Sequence, residues 1–377
     1  MVLNDICEFI VDCPHSTAPD EGEGYPIIRT PNVGRGRLIL DGVQRVSKAT
    51  YDKRNIRAVP QKDDIIFARE APAGNAAIIR AGQEVCLGQR TVLIRPDKKK
   101  VCPQFLAYYI LAPKQQYELL GTANGATVAH VNIPIIRNML VNIPKIEIQE
   151  RIAEILSSYD DLIENNKKQI KLLEEAAERL YREWFVDLHF PGCEDVKIVD
   201  GVPKGWLDGT VGNIALFKRG KTITKAQIHK GNVPVVAGGL EPAYYHNVAN
   251  TVAPVITISG SGANAGFARL YNVDVFASDC SFVDSQTTPY LFWVYCFIKD
   301  SKAKLDSLQK GAAQPHVYAK DINALKIYIP TDDILDRFCK VVAPYFGKIK
   351  NFQRQNDLLL QARDRLLPRL MSGEVEV

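Results

Sequence analysis

The chain repeats itself, and this limits its possible folds more than any other feature. Shifted by 186 positions, residues 103–185 align with 289–371 without a gap. Pro103 meets Pro289, Tyr109 meets Tyr295, and His130-Val131 meets His316-Val317. Further on, Ile143-Pro144 meets Ile329-Pro330, Arg151 meets Arg337, Tyr159 meets Tyr345 and Leu172-Leu173 meets Leu358-Leu359. Most mismatches keep apolar character, so the two stretches read as one duplicated unit. Upstream the copies diverge but keep a layout. "GYPIIRTPNV" followed by "DDIIFAREAPAGNAAII" stands against "NVPVVAGGLE" followed by "APVITISGSGANAGFARL", short β-runs bounded by Gly and Pro. Each half therefore predicts a β-rich region, a helix (about 103–120 and 289–308), a loop, a strand ending in Ile-Pro, and a long terminal helix. The fold class expected is α+β with an internal pseudo-two-fold.

The terminal helices carry apolar residues every three or four positions. In the first the stripe includes Ile148, Ile152, Ile155, Tyr159, Leu173 and an inserted Asn166; in the second it includes Phe338, Val341, Tyr345, Phe352, Asn356 and Leu359. Some 40 residues at 1.5 Å each make a rod of about 60 Å, and so long a rod with one apolar stripe needs a partner helix. Residues 146–185 hold 6 Lys/Arg against 10 Asp/Glu, while 331–370 hold 8 against 5. Opposite charge points to pairing within the chain. Antiparallel packing would place one β-rich head at each end, with Asn166 and Asn356 fixing the register. Pro344 interrupts the second pattern, so a bent or late-starting helix is expected there.

With 377 residues, 46% of them hydrophobic, the chain can bury two or three cores. No apolar run reaches the roughly 18 residues that span a bilayer, and "MVLNDICEFIVDCPHS" lacks a signal-peptide pattern, so a cytoplasmic location is expected. The eight cysteines form no CxxC pair, which argues for reduced thiols in place of a zinc site or disulfide framework. Phosphate-loop, HExxH, GxSxG and amino-methyltransferase NPP[FY] motifs are missing. "GSGANAG" (260–266) has the wrong spacing for a dinucleotide loop and is followed by strand-like sequence, so it reads as a tight hairpin. His130 and His316 share a repeat position without further ligands nearby, which favours holding a loop or touching a ligand over metal work. No catalytic residue, metal or cofactor is expected.

The heads collect cations and amides suited to phosphates and to the edges of guanine and adenine: Arg29, Arg35, Arg37, Arg69, Gln89 and Arg90 in the first half, Lys218, Arg219, Lys221, Lys225, Arg269, Lys310 and Gln314 in the second. These are the candidate DNA-binding residues.

The blocks "VNIPKIEIQERIAEILSSYDDLIENNKKQIKLLEEAAERLYREWF" and "IYIPTDDILDRFCKVVAPYFGKIKNFQRQNDLLLQARDRLLPRLMSGEVEV" resemble those of the specificity subunits of type I restriction-modification systems. The second departs from the usual helix start, with "DILDRF" where the first has "IQERI". The resemblance covers essentially the whole chain. It implies two target recognition domains (1–145 and 188–330), each reading half of a bipartite double-stranded DNA target. Two long helices, 146–187 and 331–377 with its tail, would form an antiparallel coiled-coil spacer. It further implies modification subunits, two of them expected, that supply S-adenosylmethionine chemistry, and restriction subunits that act as motor and nuclease. The alternatives are a coiled-coil scaffold that binds no DNA, and an S-adenosylmethionine-dependent DNA methyltransferase.

Overall fold

The structure, a computed structural model, describes residues 1–121, 130–310 and 315–377. It is of the α+β class and divides into two compact units, Met1–Glu164 with Asn356–Val377, and Asn165–Gln355. Two helices far exceed the others, Ile146–Phe185 of 40 residues and Asp332–Ser372 of 41. Each contributes residues to both units.

In the first unit the strands are β1 (Cys7–Asp12), β2 (Tyr25–Ile28), β3 (Gly36–Arg37), β4 (Arg45–Val46), β5 (Ile65–Ala68), β6 (Ala76–Ile78), β7 (Cys86–Leu87) and β8 (Thr91–Pro96). They form one sheet in the order β1-β8-β5-β6-β3 and a smaller one in the order β4-β2-β7. The segments "IIFA" and "VLI" are apolar at every position because both faces of β5 and β8 are covered. Ile65, Phe67, Val92 and Ile94 face one core with Phe105, Leu106 and Tyr109 of the Pro103–Leu111 helix. Ile66, Ala68 and Leu93 face another with Ile28 and Ile79.

The second unit adds β9 (Ile198–Val199), β10 (Val202–Pro203), β11 (Leu207–Thr210), β12 (Lys218–Arg219), β13 (Val233–Val236), β14 (Tyr244–His246), β15 (Val255–Ser259), β16 (Ala268–Tyr271), β17 (Phe276–Ala277), β18 (Cys280–Asp284) and β19 (Lys326–Ile329). Its larger sheet runs β12-β18-β15-β16, the order of β1-β8-β5-β6. Its smaller sheet runs β14-β13-β17 and, like β4-β2-β7, joins one antiparallel to one parallel pair. The two heads thus share a topology although their sequences have drifted apart. Residues 260–266 make the turn between antiparallel β15 and β16, a hairpin as read from the sequence.

Two expected elements differ. Each internal helix is split, into Pro103–Leu111 and Pro113–Gly121 and into Leu291–Asp300 and Lys302–Ser307. Pro113 forces the first break because its ring opposes a continuing helix. The Ile-Pro strand forms fully only in the second copy, where β19 pairs with β11; in the first it is a single bridge, Val2 to Leu140.

The second long helix starts at Asp332 and continues past Pro344, so the late start expected there does not occur. Pro344 and Lys340, whose carbonyl loses its bond, are both exposed, which lets water take that carbonyl. Burial of Phe338, Val342, Phe346 and Ile349 around it offsets the loss. Within the second unit the long helices run antiparallel, with Trp184 against Phe338 at 5.7 Å between ring centres and Asn166 Nδ2 donating to Gln355 Oε1 at 3.0 Å. Within the first unit they are also antiparallel: Ile152, Ala153 and Leu156 share a core with Leu367 and Leu370.

The expected stripe is shifted at several points. Ile148 and Val341 are exposed, and Ile155, Tyr159 and Tyr345 are only half-buried. Leu156, Asp160, Val342 and Phe346 take the buried places. Three of these follow an apolar neighbour, and spacing alone cannot choose within Ile155-Leu156, Val341-Val342 or Tyr345-Phe346. Asp160 escaped notice because it is charged.

Asp160 is 4% exposed and accepts from Arg363 Nη1 at 2.5 Å and from Tyr108 Oη at 2.6 Å. Burial and then the Asp160 charge push the Tyr108 hydroxyl far above its ordinary range. Burial alone would lower the Arg363 pKa, but the Asp160 charge and the bonds to Asp364 and Asp160 raise it. Removing one member of a buried pair strands the other charge. Asp160→Ala and Arg363→Ala should each destabilise the protein by about 3–5 kcal/mol, with strong coupling in the double mutant, measured by urea unfolding. Additive losses below about 1 kcal/mol would show that the pair does not hold this unit.

Candidate nucleic-acid interface

Strand pairing fixes which positions of the two heads correspond. Cys13 N bonds Thr91 O and Gly220 N bonds Cys280 O, so Asp12 on β1 corresponds to Arg219 on β12. Val131 N bonds Arg69 O and Val317 N bonds Gly260 O, so Arg69 corresponds to Gly260. The same two positions therefore carry an ion pair in one head, and a lone guanidinium beside a glycine in the other.

In the first head Arg69 is 8% exposed and its donors are engaged. Nε donates to Val131 O at 2.9 Å, Nη1 to both Asp12 oxygens at 3.0 and 3.1 Å, and Nη2 to His130 Nε2 at 2.7 Å. A guanidinium can only donate, so His130 Nε2 accepts and Nδ1–H donates to Glu70. Arg90 Nε completes the chain on Glu70 at 2.9 Å. His130 itself is thus tied to Arg69 and Glu70 at the end of β5.

The other first-half candidates are also engaged within their unit. Arg37 pairs with Asp161 at 2.6 Å, Arg35 donates to Leu111 O, and Arg29 to Gln44 Oε1. Gln89 donates to His15 O. Arg54, which the sequence did not single out, is buried and donates to the carbonyls of Leu87, Ser16 and Pro14; burial without a carboxylate lowers its pKa.

The second head differs. Lys218 and Arg219 are both exposed on edge strand β12, Lys221 is exposed just after it, and no ion pair or side-chain hydrogen bond engages the three among the described residues. Lys225 lies over the Tyr244 ring at 5.7 Å. Arg269 stacks on Tyr271 at 5.0 Å and donates to Leu240 O, and Lys310 pairs with Asp321 at 2.8 Å. Gln314 lies outside the described residues. The unengaged candidates Lys218, Arg219 and Lys221 thus lie together at one sheet edge.

Beside them is a cavity of about 260 Å³, lined by Arg219, Gly260, Asp279, Ser281, His316 and Tyr318 among others. It lies where Arg69 fills the first head. Asp279, Ser281 and Tyr318 were not read from the sequence, and only the strand register reveals their place. His316 bridges to Ser261 and Lys310, with its ring stacked on Tyr318. Among the described residues no group of three or more His, Cys, Asp or Glu could hold a metal ion. All eight cysteines are free, and burial pushes the Cys280 thiol up to about 12. No helix of the described residues is long and apolar enough to cross a membrane.

Known proteins resemble the chain in sequence and in fold. The chain is 27% identical over 365 residues to the specificity subunit of the type I restriction enzyme MjaIX of Methanocaldococcus jannaschii, covering 90% of this chain and 83% of that protein. It is 22% identical over 406 residues to the HindI specificity subunit of Haemophilus influenzae, covering 84% and 87%. The crystal structure of a type I restriction-modification S subunit from M. genitalium has the same fold, with a TM-score of 0.54 at 18% identity over 98% of this chain and 95% of that one. The family model for the type I restriction modification DNA specificity domain matches residues 1–175 and 203–358; the chain belongs to this family, and its role is to confer DNA sequence specificity.

Proposed function

We propose that residues 1–145 and 188–330 are two target recognition domains, each reading one half of a bipartite double-stranded DNA target, with the helical segments 146–187 and 331–377 setting the gap and receiving two modification subunits. Methyl transfer and cleavage belong to those modification subunits and to restriction subunits, and the complex works on DNA in the cytoplasm. The observation that carries this is the sharing of one sheet topology by two heads whose rims carry different donors and acceptors. A constant frame with variable polar rims is what two independent sequence readers need.

Lys218 and Lys221 are suited to phosphate contacts, with Lys225, Arg269 and Lys310 able to join by leaving their present partners. Arg29, Arg35 and Arg90 present exposed donors of the first head, with half-buried Gln89 beside them. Arg37 and Arg69, held by Asp161 and by Asp12, support that surface from beneath.

Domain exchange tests the reading. Replacing residues 1–145 by a foreign head should alter one half-site of methylation and leave the other intact, as read by sequencing of modified DNA. Simultaneous change of both half-sites would contradict independent reading, and methyl transfer by the isolated chain would contradict its non-catalytic role.

The roles also separate energetically. Lys218→Ala with Lys221→Ala should lower the slope of log affinity against log salt by about 2, since each phosphate contact contributes about 0.9. Their effect on unfolding free energy should stay within about 0.5 kcal/mol. Arg69→Ala should behave oppositely, destabilising by about 1–3 kcal/mol because it leaves Val131 O and His130 Nε2 without their donor and removes a charge partner of half-buried Asp12. Fluorescence anisotropy across a salt series, beside urea unfolding, measures both.

A further inference from the structure

Resting on the reading that residues 188–330 contact DNA, we infer that Arg219 and Asp279 recognise one G·C base pair through the major groove. Arg219 donates to guanine N7 and O6, and Asp279 accepts from cytosine N4.

Three observations lead there. Arg219 is exposed on an edge strand with no partner among the described residues, so its donor fork is available. Asp279 lines the same cavity and uses Oδ2 to accept from Ser261 Oγ, while Oδ1 takes no hydrogen bond among the described residues. Gly260 keeps that edge clear. A Cβ there would sit 3.2 Å from Asp279 O and 3.3 Å from Oδ1, closer than such contacts normally come. In the first head the corresponding side chain, Arg69, fills the place and is neutralised by Asp12.

A donor fork next to a free acceptor calls for two acceptors followed by a donor. The major-groove edge of G·C offers N7, O6 and then the N4 amino group in that order. An A·T pair offers acceptor, donor, acceptor and methyl, which leaves one guanidinium donor unmatched and sets thymine O4 against the carboxylate. A phosphate would satisfy Arg219 but would face the negative Asp279. G·C is the ligand that uses both groups.

The full chain assembled with its modification subunit, offered a random-sequence duplex library, tests this. The half-site assigned to residues 188–330 should contain a fixed G·C pair. Arg219→Ala should reduce discrimination at that pair by roughly 5- to 150-fold, the equivalent of 1–3 kcal/mol, and leave other positions unchanged. Arg219→Lys should recover only part, because an ammonium lacks the planar fork. Asp279→Ala should weaken the preference for cytosine at the same pair. A half-site without G·C, or uniform weakening by Arg219→Ala across all sequences, would overturn the inference while leaving DNA reading by this head intact. Enrichment of no second half-site by the unaltered complex would overturn that underlying reading itself.

Discussion

Burial of Asp160 is the constraint around which the first unit is arranged. A carboxylate at 4% exposure is tolerable only with its charge matched and its oxygens bonded, and Arg363 and Tyr108 do both. Those partners come from the far end of the other long helix and from the Pro103–Leu111 helix, so one side chain fixes three helices. Asp161, the next residue, binds Arg37 at 2.6 Å and Arg80 at 2.9 Å. Partial burial would raise the Asp161 pKa, but the two guanidiniums hold it below the ordinary range. Two adjacent acids thereby attach the long helix to its helical neighbours and to the β-rich head.

The duplicate solves the same packing problem without charge. By the offset of 186, Asp160 corresponds to Phe346, Arg363 to Ala177 and Tyr108 to Val294, all buried in the core of the second unit. Phe346 stacks on Phe292 at 4.4 Å and meets Tyr295 edge-on at 5.8 Å. A long cation facing a short acid has become a small residue facing a large ring. Replacement of buried ion pairs by apolar residues of matching volume is often neutral or stabilising, so drift between the two solutions is permitted. The geometry of the frame is conserved between the copies, and the chemistry beneath it is free to change.

How much of this could be read in the sequence depends on what each position must satisfy. The long helices, the α+β class and the repeated plan follow from periodicity and from offset identities such as Tyr109 with Tyr295 and His130 with His316. The helix stripe was legible to within one residue, since pattern cannot decide between Val341 and Val342 when both are apolar and only Val342 is buried. Asp160 was hidden because a buried acid looks like a surface acid until its partner, some two hundred positions away, is known. Arg69 and Arg219 looked alike as basic loop residues, yet one is a buried strut and the other an exposed donor. Only the strand register, which sets Asp12 against Arg219 and Arg69 against Gly260, separates them.

That register also explains why a recognition surface leaves so faint a trace. Core positions must fill space and satisfy buried polar groups, so few side chains fit at each. Rim positions such as Arg219 and Asp279 need only stay soluble, and any donor or acceptor does so at little cost in stability. Specificity therefore lies at the positions where folding constrains least. The first head closes the His130 site with its own Arg69; the second leaves the matching place open beside His316 and keeps unused bonds at its rim. One topology thus offers two arrangements at a single site, filled or open, set by whether an arginine or a glycine follows the end of the central strand.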